Sequence, residues 1–200
     1  MKVIVVGLGV QGHKRRHFAG NDFVASVDPV NKNAQYQSVE DVPVNSYDAA
    51  LLSVPDEAKL ELLEYLLSHG KHVLVEKPLW APNDNDILHL QDIARHNKAI
   101  CKTAYNHRFE PHYVRMRDLI ASGDLGALYR CRMFYGNGTA RLVRNSPWRD
   151  QGAGVLSDLG SHLLDTARFW FDDLSQDFKM ISVNCFENQA PDHVVFGSET

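Results

Sequence analysis

The chain has 200 residues, of which 44% are hydrophobic and 23% are charged, an ordinary globular composition with room for one domain and all or part of a second. Its 25 acidic residues outnumber its 21 basic residues, and the net charge of −4 argues against a nucleic-acid-binding surface, which needs clustered basic charge. Three widely separated cysteines without a CxxC pair exclude a disulfide framework and a zinc knuckle and favour a reducing, cytoplasmic location. No apolar run approaches the ~18 uncharged residues that a membrane helix needs.

The first half of the sequence alternates strand and helix patterns. Apolar, β-branched runs of the kind that are buried on both faces predict strands at 3–6, 23–27, 49–54, 72–75 and 99–104. Helices are predicted over 10–19, from Asp56 to Gly70 with Asp56 as the cap, and from about residue 84. Residues 30–47 are polar and weakly patterned, which predicts a short helix or only a loop. This alternation indicates a doubly wound parallel sheet of the Rossmann type over residues 1–105.

The pattern changes after Tyr105. Helices are predicted over 111–120 and 159–171, and residues alternate with period two over 128–135, 181–185 and 194–196. Residues 106–200 are therefore predicted to form an α+β domain with an open, mostly antiparallel sheet. Because a few strands rarely make a stable sheet alone, we expect that part of this sheet lies outside the chain.

The first chemical motif is the glycine-rich segment Gly7-Leu8-Gly9-Val10-Gln11-Gly12, which follows the first strand and opens the first helix. In a GxGxxG loop the first glycine makes the tight turn, the second lets a pyrophosphate approach the backbone, and the third packs helix on strand. Free amides at the helix N-terminus then hold the phosphates. In this context the motif predicts dinucleotide binding.

The second strand ends in Asp28-Pro29, 21 positions after Gly7. A carboxylate there can accept hydrogen bonds from the ribose hydroxyls of an adenosine and would repel a 2′-phosphate. Asp28 therefore favours NAD over NADP, although Asp28-Pro29 alone would also suit a simple turn.

Two further segments, Ser53-Val54-Pro55 and Glu76-Lys77-Pro78, lie at the carboxyl ends of predicted strands. Ligands of open α/β sheets bind beyond the carboxyl ends of the strands, so both segments are expected to face the crevice of the glycine loop. Lys77 could polarise a substrate oxygen and transfer a proton, and the Lys77–Pro78 bond could be cis. The alternative from spacing alone is that Glu76 and Lys77 form a loop ion pair of little energetic value.

The segment 152–165, GAGVLSDLGSHLLD, holds Asp158 and His162 four positions apart. On a helix these side chains can project the same way, and a carboxylate beside an imidazole raises its basicity and fixes its orientation. That pair would suit a proton acceptor for an alcohol. A helix-capping aspartate and a partly buried histidine are the alternative, and no third ligand with metal-site spacing follows, so a metal site is rejected.

Together these motifs resemble the glucose–fructose oxidoreductase, inositol dehydrogenase and rhizopine-catabolism family (Gfo/Idh/MocA). The resemblance covers essentially the whole chain. It rests on GLGVQG, on VEKPL at 75–79, on YNHRF at 105–109 with Asn106, on Trp148-Arg149, and above all on segment 152–165. The family's second domain is longer than the one in this chain.

The resemblance implies NAD(P)-dependent oxidation or reduction of a sugar, cyclitol or nucleotide sugar. It implies that Lys77 contacts the reacting oxygen, that His162 is the acid/base, and that Asp158 is a substrate or proton-relay partner. The cofactor is assigned to the glycine loop and to the three strand ends named above, with Asp28-Pro29 at the first, Ser53-Val54-Pro55 at the second and Glu76-Lys77 at the third. Asn106, Trp148 and Arg149 complete this set. The resemblance also implies a homodimer or homotetramer formed through the C-terminal sheet, with no nucleic-acid or membrane partner. A ligand sensor that has lost catalysis and a glycosidase that retains NAD remain alternatives on the same fold.

Overall fold

The computed structural model describes residues 1–136, 138, 140–146, 149–172 and 177–198. By its internal contacts the chain divides into two compact units, residues 1–104 and 105–200.

The sheet of the first unit has five strands, all parallel: β1 (Val3–Val6), β2 (Phe23–Val27), β3 (Ala49–Leu52), β4 (His72–Val75) and β5 (Cys101–Thr103). Their order is β2-β1-β3-β4-β5, so the chain leaves β1 first to one side and then to the other. Every residue of the interior strand β1 is buried, which is why its run is continuously apolar. The predicted doubly wound parallel sheet is confirmed, with β3 and β5 shorter than predicted.

Three helices cover this sheet: α1 (Val10–Ala19), α2 (Asp56–Ser68) and α3 (Asp84–His96). Asn83 caps α3, because its side chain accepts a hydrogen bond from the amide of Asn85. The prediction that Asp56 caps α2 is wrong. Pro55 holds the cap position and Asp56 is the first helical residue, and its carboxylate accepts a hydrogen bond from the Lys59 ammonium instead.

The segment between β2 and β3 contributes to the core although its sequence pattern is weak. It holds one short 3₁₀ turn at Val44–Ser46. Val39, Val42 and Tyr47 are each only 1% exposed and belong to the same hydrophobic cluster as β1 and β3. Burial raises the pKa of the Tyr47 hydroxyl to about 12.

The strands of the first unit end in one row. Val6 is level with both Val27 and Leu52, Leu52 is level with Val75, and Val75 is level with Thr103. The ladder also extends one residue beyond the strands. Gly7 donates to the Val27 carbonyl at 2.8 Å, Ser53 to Val6 at 2.8 Å, Glu76 to Leu52 at 2.9 Å, and Ala104 to Val75 at 2.8 Å. The residue that follows each of these strands is therefore fixed by backbone hydrogen bonding at the same edge of the sheet.

The second unit contains the helices α4 (Pro111–Ala121), α5 (Ala140–Val143) and α6 (Ser161–Phe171) and the strands β6 (Lys179–Asn184) and β7 (His193–Gly197). A 3₁₀ turn at Asn106–Phe109 precedes α4, and a π-helical turn at Leu156–Gly160 leads directly into α6. The indole N–H of Trp170 on α6 donates to the Tyr113 carbonyl of α4 at 3.1 Å. β6 and β7 pair antiparallel, which confirms the predicted α+β class.

The strand predicted over residues 128–135 is wrong. This segment alternates in sequence, but it has no regular secondary structure. A strand needs a neighbour for its backbone N–H and C=O groups, and among the described residues β6 and β7 pair only with each other. Residues 128–135 therefore have the alternating sequence of a strand but no neighbouring strand to pair with among the described residues.

Candidate functional site

The glycine loop joins β1 to α1 with very little room. Gly7 has φ +86°, a value that favours glycine, and a Cβ there would overlap the Ser53 carbonyl. A Cβ on Gly12 would overlap the carbonyl oxygen of Gly7. A Cβ on Gly9, by contrast, would meet no atom within 4 Å. The first and third glycines therefore pack the loop, and the second leaves an open approach to the backbone at the start of α1, as a pyrophosphate requires.

Asp28 links the end of β2 to this loop. One carboxylate oxygen accepts the amide of Leu8 at 2.7 Å, and the other accepts the amides of Val30 at 2.9 Å and Asn31 at 2.8 Å. Burial by itself would raise the pKa of this carboxyl, but the three N–H donors outweigh it and hold the pKa below its usual range. The charged carboxylate thus stands beside the glycine loop, and the oxygen that accepts from Leu8 can accept one further donor.

The end of β3 adds a hydroxyl to the same edge. The Ser53 Oγ is buried and has no hydrogen-bond partner among the described residues. Buried hydroxyls are nearly always hydrogen-bonded, and an exception calls for an explanation. Beside it, Val54 contacts the position that a Gly7 Cβ would take. The orphaned hydroxyl, the open Gly9 and the carboxylate of Asp28 all fit a bound dinucleotide.

The segment after β4 is anchored on both sides of Lys77. The Glu76 carboxylate accepts both Nε and Nη2 of Arg15 on α1, at 2.9 and 2.5 Å. The carbonyl of Pro78 accepts the ammonium of Lys59 on α2 at 2.7 Å. The Lys77–Pro78 peptide bond is cis, as the sequence had suggested. The contact between Arg15 and Glu76 joins residues 61 positions apart and is a finding of the structure.

In the second unit, His162 lies on the first turn of α6 and is only 7% exposed. Its ring stacks on His107, with centroids 4.6 Å apart, and meets the edges of Tyr105 and Tyr135 at 5.8 and 5.7 Å. Burial raises the pKa of the Tyr105 hydroxyl, and the nearby Asp165 carboxylate raises it further. The imidazole is therefore enclosed by rings rather than by water.

Asp158 does not cap a helix, as one interpretation of the sequence had it. It lies within the π-helical turn, and its carboxylate accepts the Nη2 of Arg149 at 2.8 Å. The structure thus brings together Asp158 and Arg149, which the resemblance had assigned to different roles. The side chain of Asn106 donates to Glu110 at 3.3 Å. Trp148 lies outside the described residues.

A further ion pair supports this part of the second unit. Arg108 binds both carboxylate oxygens of Asp165 through Nε and Nη2, at 2.7 to 3.0 Å. Asp165 is 10% exposed, and its hydrogen bonds raise the pKa of the Arg108 guanidinium further. Asp165 is three residues from His162, so the pair fixes α6 where the imidazole is carried.

Sequence reasoning missed two of these contributors, Arg15 and Lys59, and reached His107 and Asp165 only as members of the segments 105–109 and 152–165. For Lys59 a signal existed, because it falls on the apolar stripe of α2, four positions before the buried Leu63. A lysine on such a stripe must find acceptors if it is buried. The partner of Arg15 lies 61 positions away in sequence, and no local pattern points to it.

Within the described residues, no group of three or more His, Cys, Asp or Glu side chains could hold a metal ion. In that same part of the chain, no helix is long and apolar enough to cross a membrane.

The chain matches two family descriptions. Residues 1–105 match an oxidoreductase family with an NAD-binding Rossmann fold, and residues 113–196 match the GFO/IDH/MocA C-terminal domain. The cofactor prediction is confirmed at the level of an NAD-binding family.

Individual proteins that match the chain are about 30% identical to it. The chain is 30% identical over 126 residues to the uncharacterized oxidoreductase C26H5.09c of Schizosaccharomyces pombe, which is 62% of this chain and 33% of that protein. It is 32% identical over 130 residues to the 1,5-anhydro-D-fructose reductase of Ensifer adhaerens, covering 63% and 38%. The matched part is thus only 33% and 38% of the length of these two relatives.

A solved structure shares the fold. An inositol dehydrogenase homolog from Azotobacter vinelandii, complexed with NADH and myo-inositol, superposes with a TM-score of 0.74 at 22% identity. The alignment covers 93% of this chain and 56% of that chain. At 22% identity this similarity is evidence for a shared fold and for nothing beyond the fold.

Proposed function

The chain belongs to the Gfo/Idh/MocA family of oxidoreductases, and from that premise we propose that it is an NAD-dependent dehydrogenase of a sugar, cyclitol or nucleotide sugar. One observation carries the proposal: Gly7, Ser53 and Glu76 follow their strands in one hydrogen-bonded row. The glycine loop, the orphaned hydroxyl and the Lys77 segment therefore share one edge of the sheet, where ligands of such sheets bind. The names of the relatives, a reductase of an anhydro sugar and an inositol dehydrogenase homolog, support a polyol-like substrate.

Cofactor binding is assigned to the first unit. The open backbone at Gly9 and the first amides of α1 would receive the pyrophosphate, and Asp28 would accept the ribose hydroxyls. Because this carboxylate is held charged by three N–H donors, it would repel a 2′-phosphate, so we propose NAD rather than NADP. When bound, NAD supplies the hydride acceptor.

The residues of this chain would handle the substrate and its proton. Lys77 would donate a hydrogen bond to the reacting oxygen and hold the alcohol in line for oxidation. His162 would accept the hydroxyl proton, with Asp158 as its substrate or relay partner. The near-complete burial of His162 among rings supports this role, because an enclosed imidazole exchanges protons with a bound alcohol rather than with solvent. Arg149 would fix the orientation of Asp158 through their ion pair.

A screen of inositols, free sugars and nucleotide sugars for NADH formation tests the activity. We expect one class to give NADH at 340 nm with NAD⁺ and much less product with NADP⁺. Lys77→Ala should then abolish turnover and leave NAD⁺ binding by calorimetry nearly intact. The matched control is Lys102→Ala, which removes an exposed lysine of β5 and should change neither quantity.

The outcomes separate the alternatives. Normal turnover in Lys77→Ala removes this lysine from the mechanism. NAD⁺ binding without NADH formation from any tested class would favour a ligand sensor. Cleavage of a glycoside without net NADH would favour a glycosidase that retains its cofactor. Assembly through the C-terminal sheet and a cytoplasmic location stay predictions, the first to be tested by light scattering.

A further inference from the structure

Lys59 is a buried cation in an unfavourable place. It lies in the first turn of α2 and is 2% exposed. Removing an ammonium from water is costly, and the positive end of a helix dipole adds to the cost. The side chain of Asp56 offsets part of it by accepting the Nζ at 2.6 Å. An apolar side chain would fill this position on the stripe at lower cost, so the cation needs another explanation.

The second acceptor of Lys59 provides that explanation. Its Nζ donates to the carbonyl oxygen of Pro78 at 2.7 Å, and Pro78 is the residue directly after Lys77. A charge-assisted hydrogen bond from a buried side chain holds that carbonyl more firmly than a bond from solvent would. Lys59 thus connects α2 to the segment that carries Lys77.

Arg15 makes the equivalent connection from the other side. It projects from α1 and donates twice to the carboxylate of Glu76, the residue directly before Lys77. Both side chains are mostly buried, with 29% of Arg15 and 16% of Glu76 exposed. The backbone amide of Glu76 is held as well, by the Leu52 carbonyl at 2.9 Å.

We propose that Arg15 and Lys59 are positioning residues that hold Lys77 from its two neighbours, an assignment that rests on the proposed function of Lys77. α1 grows out of the glycine loop, and α2 follows the Ser53 strand end. The two helices that border the dinucleotide loop therefore also set the position of the lysine. Neither cation is assigned a contact with substrate or cofactor.

A purely structural role makes a different prediction. Removing one partner of a buried ion pair is destabilising because it leaves the other charge uncompensated, so a purely structural role of Lys59 or Arg15 would appear in the melting temperature. Loss of positioning would appear in kcat, because a displacement of about 1 Å can lower the rate by about 100-fold. The two roles are thus separable by measurement.

The experiment compares two variants with two matched controls in the 200-residue chain. Lys59→Met and Arg15→Met remove the two contacts with side chains of similar length. Asp56→Asn removes the charge beside Lys59 and leaves its bond to Pro78. Arg16→Met removes the neighbouring exposed arginine, which lies over the Phe23 ring. Each protein is measured for melting temperature, NAD⁺ affinity, kcat and KM with the polyol or sugar that the wild type oxidises, and hydrogen exchange of the peptide 76–81.

We expect Lys59→Met and Arg15→Met each to lower kcat by about 10- to 100-fold, with KM and NAD⁺ affinity within about threefold of the wild type. Exchange in peptide 76–81 should accelerate in these variants and stay unchanged in both controls. Unchanged exchange overturns the proposal, and so does faster exchange with an unchanged kcat. If the wild type oxidises none of the tested compounds, the proposed function fails, while the exchange data still decide whether the two cations hold the Lys77 segment.

Discussion

Asp28 allows a direct test of how the first unit recognises its cofactor. Its carboxylate accepts three backbone amides, one of them from Leu8 in the glycine loop. In Asp28→Asn one oxygen can still accept the amides of Val30 and Asn31, but the other becomes an NH₂ group that cannot accept from Leu8. A hydrogen bond to a charged acceptor contributes about 1.5–3 kcal/mol, so the variant should lose about 2 kcal/mol of stability.

Chemical denaturation at neutral pH measures this loss. In a chain of this size it corresponds to a fall in melting temperature of about 4–8 °C. Asp22→Asn, which changes an exposed carboxylate that pairs with the N-terminus, is the control and should change stability little. Asp28→Ala should in addition weaken NAD⁺ much more than NADP⁺ in calorimetric titrations.

The pH dependence of the same variant has a defined sign. The pKa of Asp28 is lowered in the folded protein, so its contribution is fully present above the unfolded value of about 3.9. That contribution is lost as the pH falls through the lowered folded pKa. The stability gap between wild type and Asp28→Asn should therefore be constant from pH 6 to 8 and close below about pH 4. A gap that persists in acid, or equal losses of NAD⁺ and NADP⁺ binding in Asp28→Ala, would refute the reasoning.

Three other substitutions test the packing and the chemistry. Gly12→Ala should lower the melting temperature and abolish NADH binding in a fluorescence titration, because its Cβ would overlap the Gly7 carbonyl; Gly9→Ala has room and should weaken only NADH binding. Asp165→Asn should cost about 2 kcal/mol in denaturant unfolding, because it breaks a two-pronged pair with Arg108, and a loss below 0.5 kcal/mol would contradict that importance. His162→Phe should lower kcat by about 100-fold or more without loss of secondary structure by circular dichroism, and near-normal turnover would exclude His162 as the acid/base.

The fold of the first unit could be predicted because its strands are buried on both faces. A strand such as β1 is apolar at every position, and its signal does not depend on its neighbours. Tyr47 and Val39 show the opposite case, since they are buried without lying in a periodic element. Residues 128–135 show a third case. Their alternation predicted a strand, but a strand also requires pairing, which is a property of two segments and not of one.

The candidate site could be predicted where it depends on strand ends and not where it depends on side-chain partners. Gly7, Ser53 and Glu76 are found from the sequence because the end of each strand can be read locally. The roles of Arg15 and Lys59 could not be found in this way, because their partners Glu76 and Pro78 are 61 and 19 positions away. The sequence predicted a helix near Asp158. It did not predict that this helix begins with a π-helical turn, or that Asp158 pairs with Arg149.

The ion pairs of Arg15 and Lys59 explain how the first unit can hold Lys77 in position without adding net positive charge near its glycine loop. A lone ammonium or guanidinium near the glycine loop would add positive charge where helix amides already favour anions. Arg15 is neutralised by Glu76, and Lys59 by Asp56, so each pair contributes position with no net charge. The arrangement thus separates the groups that set geometry from the one that would contact the reacting oxygen.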